Sequence, residues 1–176
     1  MLPRIASLVV AYEATRRRHD EHLSAIRRGS VRHVADGLRA TGRCLCGAVT
    51  YEVRGPMRDI SVCHCVECRR WSGYLGAFSA TEAENIVVDG DALRWVESPD
   101  SDRHFRRGFC GQCGSSVLLQ SPDSEYLSVA VGTLDRPTGL RIAGHWYSHH
   151  AGDWDDVPDD GLPRDDELAR SERRWT

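Results

Sequence analysis

Seven cysteines fall into three tight groups: Cys44-Leu45-Cys46, Cys63-His64-Cys65-Val66-Glu67-Cys68 and Cys110-Gly111-Gln112-Cys113. Thiolates so close in sequence can converge on one soft divalent cation, most simply Zn²⁺, which sulfur holds at about 2.3 Å in a tetrahedron. Disulfides explain the grouping poorly. The number is odd, the expected compartment is reducing, and cysteines one or two residues apart seldom meet disulfide geometry in a strand or turn. The last group, with Gly111 inside it and Gly114 just after, reads as a metal knuckle that needs two more ligands. Cys44 and Cys46, flanked by Gly42 and Gly47, supply them. A four-thiolate site is closed, and its expected work is to pin distant segments together. Cys63, Cys65 and Cys68 make only three ligands, which leaves a fourth position for water or substrate, the pattern of a catalytic zinc. Two zinc ions per chain are therefore expected. His64 is an alternative fourth ligand, although in an extended chain it points away from both neighbours. Redox chemistry at the Cys-x-x-Cys pairs is a further alternative.

The elements that must carry these groups are mostly short strands. Candidates are Ala48 to Val53, Gly76 to Ala80, Asn85 to Val88, Leu93 to Glu97, His104 to Phe109, Ser116 to Leu119, Tyr126 to Val131 and Leu140 to Tyr147. Turn signals separate them, among them Gly55-Pro56, Asp89-Gly90-Asp91, Ser121-Pro122-Asp123 and Arg136-Pro137. Ahead of them, Ile5, Leu8, Val9, Tyr12, Leu23 and Ile26 form a helical pattern ending near Gly29. That segment is either a packing arm or the result of a start placed too far upstream. The expected division is a helical extension over 1–40, a zinc-binding β domain over 41–165 and a tail over 166–176.

With 176 residues, 40% hydrophobic and 28% charged, the chain suits one domain with a real core plus an extension. No apolar run approaches the roughly 20 residues that span a bilayer. The short apolar stretch Ile5 to Val10 precedes its arginines, the reverse of a secretory signal, so the expected location is the cytoplasm. The net charge of −3 is unevenly spread, with an arginine-rich start and an acidic run from Asp153 to Glu167. No basic stripe with interleaved aromatics points to nucleic acid. The chain has no lysine, which excludes Schiff-base chemistry on a lysine.

The motifs Gly42-x-Cys44-x-Cys46-Gly47-x-Val49-x-Tyr51, Cys63-His64-Cys65-x-x-Cys68-Arg69-Arg70-x-x-Gly73 and Arg107-x-Phe109-Cys110-x-x-Cys113-Gly114-Ser115, in that order, resemble the glutathione-dependent formaldehyde-activating enzyme family, which includes centromere protein V. The likeness continues through Val131-Gly132-x-Leu134-Asp135 and His145, and more loosely to Trp154 and Asp160-Gly161-Leu162-Pro163. The resemblance implies a mainly β, β-tent fold of short antiparallel strands built around zinc. It implies a structural zinc on Cys44, Cys46, Cys110 and Cys113 and a substrate-site zinc on Cys63, Cys65 and Cys68. The family's activity joins glutathione and formaldehyde as S-hydroxymethylglutathione, and its members are commonly described as carbon–sulfur lyases. The stretch Trp146-Tyr147-Ser148-His149-His150 departs from the family's more aliphatic pattern.

An open zinc position can hold a thiol as thiolate or polarise a carbonyl. The acid or base such chemistry needs has candidates in His64, Glu67 and His145. Arg69 and Arg70 could clasp a substrate carboxylate, or simply form salt bridges. Trp71, Tyr74 and Phe78 are expected in the core or the pocket wall, and His149 and His150 on the surface. The expected function is a zinc-dependent carbon–sulfur lyase or thiol-adduct enzyme acting on glutathione or a similar small thiol. The rival is a non-catalytic two-zinc binding or scaffold module.

Overall fold

The computed structural model describes residues 37–99 and 104–164. The expected N-terminal helix lies outside the described residues, as does the 166–176 tail.

Among the described residues, ten strands make two sheets. The smaller is antiparallel in the order β1 (Ala40–Arg43), β2 (Thr50–Val53), β5 (Ile86–Asp89). The larger runs β10 (Ile142–Trp146), β3 (Ile60–Cys63), β4 (Gly76–Glu82), β9 (Tyr126–Ala130), β8 (Ser116–Gln120), β7 (Arg106–Cys110), β6 (Leu93–Glu97). The fold is mainly β, as expected. Its pairings are antiparallel except at one edge, where β10 lies parallel to β3 with Trp146 beside Cys63. Eight of the strands lie at segments expected from sequence; β1 and β3 do not.

The core lies between the sheets. Tyr51 and Val53 from the small sheet and Val117, Leu118 and Val129 from the large one are buried together with Val49 and Met57. Alternation explains it: Tyr51 and Val53 point inward while Thr50 and Glu52 face water, as a half-buried strand requires. Cys44 and Cys110 sit in that same core.

One helix, α1 (Val66–Ser72), follows β3. Seven residues carry little intrinsic helical stability, so its ends matter. Cys65 caps it, its sulfur accepting from the Cys68 N–H at 3.4 Å. Glu67 in the first turn and Arg69 and Arg70 in the last agree in sign with the helix dipole. No helix among the described residues is long and apolar enough to cross a membrane.

Candidate metal centres

The sulfurs of Cys44, Cys46, Cys110 and Cys113 all lie within 4.8 Å of one another. The Cys44–Cys46 and Cys46–Cys110 separations are 3.6 and 3.8 Å. A tetrahedron of sulfurs at the zinc–thiolate distance has edges of roughly 3.8 Å, so the set fits one thiophilic divalent ion. Two tight turns build it. Gly47 and Gly114 follow their cysteines with φ of 80° and 75°, a conformation that costs glycine nothing. Their N–H groups return to the carbonyls of Cys44 and Cys110 at 3.1 and 2.8 Å. Against the effect of burial, hydrogen bonds from Ser115 and Cys46 draw the Cys113 thiol down to about 6.

The sulfurs of Cys63, Cys65 and Cys68 form a second set within 4.8 Å. Cys63 ends β3, Cys65 caps α1, and Cys68 one turn on looks back at both. Room for Cys68 comes from β4. A Cβ on Gly76, which is Cys63's register partner, would lie 2.8 Å from the Cys68 Cβ and 3.1 Å from its Sγ. Hydrogen bonds from the Cys63 and Cys68 thiols push Cys65 down to about 2, aided by the Cys68 N–H and the charge of Arg107 and opposed by burial. The same contacts, with burial, push Cys63 up. A divalent ion loading there would expel the thiol protons.

The histidines do something else. His64, wholly buried, has Nδ1 at 3.0 Å from Asp155 Oδ2 and Nε2 at 3.0 Å from His145 Nδ1. His145 Nε2 lies 3.2 Å from Asp160 Oδ2, and the Tyr74 hydroxyl donates to Asp155 Oδ1 at 2.9 Å. The hydrogen bond from His145 holds the Asp160 carboxyl below the usual carboxylate range. These contacts make a continuous Asp–His–His–Asp chain. Both ring nitrogens of His64 are engaged, and neither imidazole joins the cysteine set. Asp155, with its side chain 1% exposed, is the anchor of the chain. Asp155→Ala leaves Nδ1 of the buried His64 imidazole without its partner and is expected to cost about 1–3 kcal/mol, read as a lower urea midpoint at unchanged slope.

Glu67 Oε2 accepts from Arg107 at 3.4 Å, while its Oε1 is buried with no hydrogen-bond partner. Arg69 stacks over Trp154 with its Nε buried and unbonded, and Arg70 is exposed. Neither arginine forms an ion pair among the described residues. Trp71 donates to Ser116 Oγ at 2.7 Å and packs edge-on against Phe109, and Phe78 is buried. Tyr74 is 49% exposed, on the surface and not in the core. Sequence reasoning assigned no role to Arg107, Asp155 or Asp160, although Asp160 stands in the loosely matching Asp160-Gly161-Leu162-Pro163 run. Arg107 did stand in the motif ahead of Cys110, the only signal it offered.

Residues 39–150 match the family described as glutathione-dependent formaldehyde-activating enzyme, and both cysteine sets lie inside that span. The chain belongs to that family. Among proteins similar to this family member is an uncharacterized lyase of Schizosaccharomyces pombe (strain 972 / ATCC 24843), 30% identical over 79 residues, which are 44% of this chain and 55% of that protein. The chain thus spans about half the length of that relative. A Rhodobacter sphaeroides protein of known crystal structure aligns with a TM-score of 0.46 at 25% identity, covering 56% of this chain and 91% of that one.

Proposed function

We propose that the chain is a zinc-dependent carbon–sulfur lyase of the S-hydroxymethyl thiol type, acting on glutathione or a similar small thiol. One observation carries this reading: the second cysteine set gathers three sulfurs and no fourth protein donor among the described residues. The scaffold alternative favours His64 as that donor, but its two ring nitrogens are bonded to Asp155 and His145. Cys44, Cys46, Cys110 and Cys113 would hold a structural zinc, and Cys63, Cys65 and Cys68 a second one.

The second zinc, when bound, would supply Lewis acidity and stabilise a thiolate. The chain's own groups do the rest. Of the three acid–base candidates, Glu67 alone offers an unoccupied atom, Oε1. It takes the proton from the adduct hydroxyl as the C–S bond breaks, giving formaldehyde and thiolate, and returns it in the reverse direction. Arg69 and Arg70 hold a carboxylate of the thiol, and the His64–His145 chain fixes the loop between Cys63 and Cys65.

The test is a zinc count with an assay. Protein purified without chelator should carry two zincs per chain and cleave S-hydroxymethylglutathione to glutathione and formaldehyde. Two tightly held zincs with no turnover of any S-hydroxymethyl thiol would favour the scaffold instead.

A further inference from the structure

Arg107 is the cationic residue most deeply buried among those near either cysteine set, at 4% exposure. It reaches from β7 to α1. Its Nε donates to Ser98 Oγ at 2.6 Å, and one terminal nitrogen donates to Glu67 Oε2 at 3.4 Å. Both terminal nitrogens lie 4.0 Å from Cys68 Sγ, and the guanidinium lies over the Trp71 ring at 5.8 Å. A guanidinium keeps its charge at any working pH, and a charge removed from water needs a compensating one. Ser98 is neutral, and Glu67 meets one terminal nitrogen at 3.4 Å. The cysteine set, 4.0 Å from both terminal nitrogens, is the other anionic partner.

The charges decide what that set accepts. Three thiolates around a divalent ion would leave one net negative charge, which Arg107, shared with Glu67, faces at 4.0 Å. A neutral fourth donor adds nothing for the guanidinium to attract, whereas an anionic one does, at short range and in a poorly screened site. We infer that Arg107 is a specificity-determining residue, making the three-cysteine site take an anionic fourth donor, a thiolate, in preference to a neutral one. Ser98 aims the guanidinium. Glu67 opposes it, because each share of positive charge spent on Glu67 is withheld from the fourth donor. This rests on the open-site reading proposed above.

The experiment uses the full chain loaded with cobalt, whose visible bands report donor exchange, titrated with 2-mercaptoethanol and with imidazole. The wild type should bind the thiol more tightly than imidazole. Arg107→Met should weaken thiol binding about 10- to 100-fold and move imidazole binding by no more than about twofold, with Arg107→Lys in between. Glu67→Gln should shift thiol binding the other way, a sign that general damage to the site would not produce. Thiol binding by Arg107→Met equal to that of wild type would overturn the inference and leave the open site standing. If the wild type bound neither ligand, the open site itself would fall, and the inference with it. Should Arg107→Met not retain its second cobalt, Glu67→Gln decides: tighter thiol binding supports the role, and unchanged or weaker binding overturns it.

Discussion

Cys110→Ala is expected to leave the chain unable to fold. The residue is wholly buried, but losing one sulfur from a core would by itself cost only a cavity of about a kcal/mol or two. The larger loss is the metal. Four-thiolate zinc binding contributes about 10–16 kcal/mol in small zinc domains, against a total stability of about 5–15 kcal/mol for ordinary ones. Cys44 and Cys46 lie in the turn between β1 and β2, and Cys110 closes β7, so this set ties the small sheet to the second strand from one edge of the large one. With three ligands the tie is lost. Far-ultraviolet circular dichroism and amide dispersion in NMR, each beside a zinc count, would read the result. A Cys110→Ala protein with native dispersion would show that the four-cysteine set does not hold the fold together.

Cys68→Ala should behave in the opposite way. Cys68 sits on a short helix beside Gly76 of β4, its sulfur lies within 4.8 Å of those of Cys63 and Cys65 and 4.0 Å from Arg107, and it is not part of the central core cluster. The fold should survive with a modest loss of stability, the zinc count should fall from two to one, and turnover should drop by about three orders of magnitude or more. Thermal melting, metal content and the S-hydroxymethylglutathione assay separate these effects. If Cys68→Ala were as unfolded as Cys110→Ala, the division into one closed and one open site would be wrong.

The cysteine sets were legible because metal ligation demands particular residue types at short spacing, a constraint that survives without knowledge of the fold. What sequence reading lost were features made by partners far along the chain. Strand β3 is four residues long, Ile60-Ser61-Val62-Cys63, too short for alternation to stand out, and it owes its existence to β4 and β10 on either side. Strand β1 contains Gly42, a poor strand former. Helix α1 is too short for a 3.6-residue period to show, and a cysteine is an unusual cap. Asp155 and Asp160 lie in an acidic run that reads as solvated surface. Asp155 is held by Tyr74 and His64, 81 and 91 residues earlier. Arg107 reads as an exposed strand arginine until Glu67 and Cys68, some 40 residues away, are seen beside it.

The parallel edge of the large sheet bears on how the chain is made. The Cys63-His64-Cys65 loop leaves the ribosome long before the strand that braces it. His145 and Asp155 follow His64 by 81 and 91 residues, about 4–18 seconds of synthesis at usual speeds. The four-cysteine set is complete once Cys113 has emerged, so on a growing chain the closed site can take metal and gather the sheets while the three cysteines still sit on an unsupported edge. Nascent protein thus has an interval in which the three-cysteine set lacks its neighbouring strand, ending only when β10 docks beside β3.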